Sequence, residues 1–295
     1  MKNPLIFDRQ GQPVHFLHAN GYPPETYRSF LAFFTTEYQV AASYLRPLWE
    51  EGDYLPILDW TLFRDDLLNF FQQADTLPRL SRSGWKEEGK IIGMGHSIGA
   101  TVTLMAALQR PELFRALVLI EPVLFPPWLS FLMEKLSWVG LVSRFHPLIK
   151  RARRRKKNFE NRDAMFANYR EKRIFQGLSD KVLGDYVQGL AKDHPRGGVT
   201  LAYPPRWEAQ IYATSGIYDR QIWKALPGLE PPVLVIRGEK SDTLKKRTVK
   251  LIREKLPSVQ VREIPSCGHL APLEKPAEVY QVVNNFINLR VKKPS

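Results

Sequence analysis

Gly95-His96-Ser97-Ile98-Gly99 places one serine between two glycines, directly after the apolar run "KIIGM". In the pattern Gly-x-Ser-x-Gly the serine sits on a tight strand-to-helix turn that exposes its hydroxyl as a nucleophile. Three fixed positions match by chance in roughly one chain in ten of this size, so the pattern alone decides nothing. A serine hydroxyl attacks at neutral pH only with a base in reach and an acidic residue to orient that base. His269, in "PSCGHLAPLEKP" just past a strand-like run, is the candidate base. Asp242, in the polar loop of "VLVIRGEKSDTL", is the candidate acid, with Glu121 at the end of "RALVLIE" as the alternative. Asp219 and Glu239 read as surface charges, and His18 and His96, beside strand ends, as hydrogen-bonded structural residues. A set of this kind performs acyl transfer: Ser97 attacks a carbonyl, His269 carries the proton to the leaving group, and Asp242 steadies the imidazolium.

These residues need a scaffold that brings distant loops to one edge. Apolar runs at 13–19, 38–44, 90–96, 115–121, 232–238 and 259–265 read as strands, with 4–9 a further edge strand. Helix-like segments alternate with them, as parallel strands joined by crossover helices require. In 62–74, Leu67, Leu68, Phe70 and Phe71 fall on one face of an amphipathic helix. Segment 97–111 is rich in small apolar residues, which suits a helix buried behind the sheet, and Pro111 ends it. The alternation stops after Glu121 and resumes at "PVLVIRG". The expected division is therefore a core of residues 1–121 and 229–295 with a helical cap inserted over 122–228, at the carboxyl edge of the sheet where open α/β folds bind ligands.

Four segments in this order resemble the α/β-hydrolase family over nearly the full chain: "FLHANGYPPETY" (16–27), "GHSIG" (95–99), "RGEKSD" (237–242) and "GHLAPLEKP" (268–276). The resemblance implies an α/β fold with a mostly parallel central sheet flanked by helices and a helical cap inserted after the strand ending near Glu121. It implies catalytic Ser97, Asp242 and His269, with Glu121 where other members carry the acid. It also implies an oxyanion hole of backbone N–H groups from Ile98, at the start of a helix, and Asn20; Ala19 stands where the family commonly has glycine. Relatives that open epoxides or remove halogens carry aspartate at the elbow, so Ser97 points away from both reactions. The expected activity is hydrolysis of small to medium carboxylic esters through an acyl-enzyme on Ser97, with no metal or organic cofactor. Lactones, thioesters and C–C bonds are alternatives on the same residues, and a non-catalytic ligand-binding protein is another. Tyr22, Trp128, Phe131 and Trp138 are candidates both for a substrate pocket and for the cap's own core.

The chain has 295 residues with 43 Lys and Arg against 30 Asp and Glu, a net charge of +13. Between Glu121 and Glu230 there are 19 basic and 11 acidic residues, and the densest run is "KRARRRKK" at 150–157. Such a run reads first as a solvated helix face, and otherwise as a contact for an anionic membrane surface, an acidic substrate or a partner. No zinc-finger spacing or aromatic ribonucleoprotein motif accompanies it, which argues against nucleic acid. The single cysteine, Cys267, excludes an internal disulfide and a thiol cluster for zinc. No apolar run has the length of a membrane span, and the first residues lack a signal-peptide core, so a cytoplasmic location is expected.

Overall fold

Strands buried on both faces read as continuous aliphatic runs, and every residue of Tyr38–Ser43 (β3), Ile91–His96 (β4) and Val233–Gly238 (β9) is buried. The computed structural model describes residues 2–7, 11–50, 57–73, 90–138 and 147–291. Leu5–Phe7 (β1), Gln12–Leu17 (β2), Phe114–Ile120 (β5) and Gln260–Ile264 (β10) complete a seven-stranded sheet, in the order β1-β3-β2-β4-β5-β9-β10. β1 pairs antiparallel with β3, and the other neighbours are parallel. β10 lies on an edge of the sheet and exposes the adjacent residues Arg262 and Glu263.

Helices cover the sheet. Thr61–Gln73 (α1) buries Leu67, Leu68, Phe70 and Phe71, the stripe that its spacing predicted, and Phe63 besides. Ile98–Gln109 (α2) is buried from Ile98 to Ala107, so its small side chains let it lie close behind the strands. Further helices are Pro127–Trp138 (α3), Pro147–Arg153 (α4), Arg162–Arg170 (α5), Asp180–Leu190 (α6), Pro205–Ala213 (α7), Asp219–Ala225 (α8), Lys246–Lys255 (α9) and Pro276–Arg290 (α10).

The segment between β5 and β9 is not all helical. Asn158–Phe159 (β6), Ala191–Asp193 (β7) and Val199–Leu201 (β8) form a second, antiparallel sheet in the order β6-β8-β7. Strands of two or three residues are too short for alternation to show. The pair Gly197-Gly198, both at positive φ in the β7–β8 turn, was the overlooked signal.

β2, β4, β5, β9 and β10 run parallel, so their carboxyl ends share one edge. Asn20, Ser97, Glu121, Asp242 and His269 all follow those ends in sequence. This topology converts positions far apart along the chain into neighbours.

Candidate active site

Ser97 stands between the last residue of β4 and the first of α2 with φ 58° and ψ −123°. Among the described residues only Ser97, Glu121 and Ser266 are non-glycines at positive φ. Such backbone costs of order 1–3 kcal/mol and persists where the surroundings enforce it. Here the enforcement is visible: the Ser97 N–H donates to the Ile120 carbonyl at 3.0 Å, fixing the turn to β5. The flanking glycines permit it. A Cβ on Gly95 would lie 2.4 Å from Gly99 backbone, and one on Gly99 would lie 2.1 Å from the Leu17 carbonyl oxygen.

The Ser97 hydroxyl lies 3.0 Å from His269 Nε2, and His269 Nδ1 lies 3.0 Å from Glu121 Oε2. With its hydrogen on Nδ1, the imidazole donates to the carboxylate and accepts from the serine. Glu121 is fully buried, and three donors converge on it: the Gly238 N–H at 2.6 Å on Oε1, and the Ser241 hydroxyl and His269 Nδ1 on Oε2. A line of this kind can pass a proton from the hydroxyl to the ring while the carboxylate holds the ring's orientation.

Asp242 does not fill the position expected of it. Its carboxylate is exposed and accepts from the Thr243 hydroxyl at 3.3 Å, while the alternative acid, Glu121, makes the contact to His269. The cause is the turn after β9. Ser241 N–H donates to Gly238 O, and Arg237 reaches over the loop to the carbonyls of Leu244, Glu239 and Ser241. That bracing aims Ser241 inward at Glu121 and leaves Asp242 outside. Sequence reading missed Ser241 as a partner of the acid; its proximity to Glu121 arises only from the pairing of β5 with β9.

A second network ties three loops together. Tyr27 accepts from the Ala19 N–H at 3.3 Å and lies 2.7 Å from His96 Nδ1, while His96 Nε2 lies 2.8 Å from the carbonyl of His269. A carbonyl only accepts, so His96 carries its hydrogen on Nε2 and receives the tyrosine hydroxyl on Nδ1. Burial, followed by the neighbouring His269, holds the His96 pKa well below the usual histidine value, so the ring is a neutral strut. His18 is also buried and satisfied, bonded to Ala19 O at 2.8 Å and to the Leu45 N–H at 2.9 Å, and burial lowers its pKa to about 4.

Asn20 is buried, and its side chain is held from outside the main sheet. Nδ2 donates to the Glu208 carbonyl at 3.0 Å and Oδ1 accepts from the Tyr203 hydroxyl at 2.9 Å. Both partners belong to the segment between β5 and β9. Arg155 backs this clamp, bonding Glu208 Oε2 at 2.6 Å, the Tyr169 hydroxyl at 3.0 Å and the Tyr186 hydroxyl. Burial opposes the Arg155 charge, but Tyr186, Glu208 and Tyr169 outweigh it and raise its pKa. Arg155 is thus turned inward from a run read as solvated. Tyr22 packs beside it, 5.2 Å from the Tyr186 ring. Ile98 opens α2, where the first N–H groups have no partner within the helix.

The other aromatic candidates fall elsewhere. Trp128 and Phe131 are exposed on α3, and the side chain of Trp138 lies outside the described residues. Cys267 is buried beside the His269 loop, and burial pushes its thiol up to about 12.

The model of the alpha/beta hydrolase family matches residues 16–282, from the end of β2 into α10, a stretch that includes Ser97, Glu121 and His269. The chain belongs to that family. It is 25% identical over 203 residues to ethanol acetyltransferase 1 of Cyberlindnera fabianii, a match covering 67% of this chain and 59% of that protein, so it spans less than two thirds of the relative. In fold it is similar to the peroxisomal alpha-beta-hydrolase Lpx1 of Saccharomyces cerevisiae, with a TM-score of 0.73, 16% identity, and 97% and 79% of the two chains covered. It is also similar to a thermophilic esterase from Thermogutta terrifontis, with a TM-score of 0.65, 18% identity, and 98% and 94% covered. This alpha/beta hydrolase therefore carries the family's sheet, with Ser97, His269 and Glu121 hydrogen-bonded in line at its carboxyl edge. No helix among the described residues is long and apolar enough to cross a membrane.

Proposed function

We propose that the protein is a serine hydrolase acting on carboxylic esters of small to medium size, with Ser97 as nucleophile, His269 as general base and acid, and Glu121 as the orienting acid. The observation that carries this reading is the 3.0 Å approach of His269 Nε2 to the Ser97 hydroxyl, continued at 3.0 Å to a buried carboxylate. Ser97 attacks the ester carbonyl as its proton passes to His269. The backbone N–H groups of Ile98 and Asn20 receive the oxyanion, and the imidazolium returns the proton to the leaving alcohol. Water then repeats the cycle on the acyl-enzyme. The segment 122–228 acts as the cap, and through Tyr203 and Glu208 it positions the Asn20 loop.

A second reading follows from the likeness to an alcohol acetyltransferase. The same acyl-enzyme can be resolved by an alcohol instead of water, and the chemistry at Ser97 is then unchanged except for the acceptor. One experiment separates the two. Acyl esters of increasing chain length, a lactone and a thioester are offered with and without ethanol, and both free acid and ethyl ester are measured. Free acid as the main product in both conditions supports the hydrolase. Ethyl ester as the main product assigns transfer, and no turnover of any acyl donor contradicts both.

A further inference from the structure

Large apolar side chains on a protein surface are usually scattered singly, and a cluster of them on one face marks a contact site. Among the described residues Trp128, Phe131 and Leu132 are 58%, 49% and 44% exposed, and all three lie on α3. Positions 128, 131 and 132, with Lys135 one turn on, share one helical face. The opposite side of α3 is fixed. Ser130 donates to the Gly216 carbonyl, and Met133 and Leu136 pack against Ile149, Ala152, Ala209 and Ala213. The helix is therefore held by one face and presents the other.

Cations frame that face. The Arg247 guanidinium lies 5.3 Å from the Trp128 ring centre, and Lys135 and Arg220 lie 5.5 and 5.6 Å from that of Phe131. Arg247 opens a strongly basic element: residues 245–255, on α9 and its cap, hold six Lys and Arg against one Glu. An apolar ridge bordered by long cationic side chains matches a bilayer surface, where aromatic rings sit at headgroup level and the cations meet lipid phosphates. We infer that the face of Trp128, Phe131 and Leu132, with Arg220 and Arg247, docks the protein on anionic lipid bilayers. The site lies on α3, α8 and α9 and does not need the run 150–157, whose Arg155 is held in the Asn20 clamp. It is independent of the reaction proposed for Ser97.

Co-sedimentation of the full chain with phosphatidylcholine vesicles, with and without about 30% phosphatidylglycerol, tests the inference. Binding is expected to the anionic vesicles only and to weaken steeply as salt shortens the Debye length from about 10 to about 3 Å. The double variant Arg220→Gln, Arg247→Gln should bind roughly thirtyfold more weakly, and Trp128→Ser with Phe131→Ser should lose binding. Unchanged thermal unfolding would show that neither pair disturbs the fold. Absence of binding, equal binding to neutral vesicles, or full binding by both variants would overturn the inference. So would a dimer in vesicle-free solution that the two serine substitutions dissolve, because the face would then belong to a second copy.

Discussion

Glu121, at the end of β5, places Oε2 3.0 Å from Nδ1 of His269, although 148 residues separate them in the chain. Asp242, much nearer His269 in sequence, faces solvent. The two carboxylates therefore differ in what their removal should do. Glu121→Gln keeps the shape but favours the wrong imidazole tautomer, and kcat on an ester should fall about 10³- to 10⁴-fold. Asp242→Asn should change kcat less than about twofold, as expected of an exposed substitution remote from the reacting atoms. Steady-state kinetics of the two variants side by side make the comparison, and the opposite ranking would return the orienting role to Asp242.

The Asn20 clamp makes a kinetic prediction. Both side-chain groups of Asn20 are occupied, by Glu208 and Tyr203. Asn20→Ala should therefore loosen the loop without removing the backbone N–H proposed as an oxyanion donor. We expect kcat to fall by about ten- to a hundredfold with KM little altered, less than the full loss of an oxyanion donor. Tyr203→Phe, which breaks only one arm, should fall between that variant and the native chain. A rise in KM with unchanged kcat would mean that Asn20 serves substrate binding instead.

Packing at the elbow sets a stability prediction. Because a Cβ on Gly99 would come within 2.1 Å of the Leu17 carbonyl oxygen, β2 and α2 must separate to admit even alanine. Gly99→Ala should cost about 3 kcal/mol or more. Urea denaturation measures it, and a midpoint within error of the native chain would show that the strand and helix can part freely.

Asp219 gives the stability a pH signature. Its carboxyl is buried, accepts the Phe125 N–H at 2.6 Å, and is raised by burial to about 7 from an ordinary value of 3.8. Between those two values the folded state keeps the proton that the unfolded chain has released. Stability from this group is present in full below about pH 4, declines as pH rises towards 7, and is flat above that, for a total of a few kcal/mol. Asp219→Asn keeps the acceptor oxygen and removes the titration, so its unfolding midpoint should vary less with pH over that window. Parallel pH profiles of the two proteins would show the expected decline to be absent from the native chain if Asp219 remains ionised on folding.

Much of this was legible in the chain before any coordinates. β5 and β9 carry the long aliphatic stretches Ala116–Ile120 and Val233–Ile236, and the elbow at Ser97 and the loop of His269 carry their own signals in glycine spacing and position. Glu121 was harder to choose, because an acid at the end of either β5 or β9 lies near the same edge. The decision depends on the Arg237 braces that turn Asp242 outward, and those are tertiary contacts. The Asn20 clamp was illegible for a similar reason: its partners lie 183 and 188 residues away. The small second sheet escaped because two or three residues cannot display a period.

Covalent labelling by a fluorophosphonate, followed by intact mass and peptide mapping, tests the central claim that Ser97 is activated by His269 and Glu121. One adduct per chain, on Ser97, is expected in the native protein and in Asp242→Asn. The adduct should be absent in Ser97→Ala and should form at least about a hundredfold more slowly in His269→Ala and Glu121→Gln. A native chain that stays unlabelled, or that carries its adduct on another residue, would contradict it.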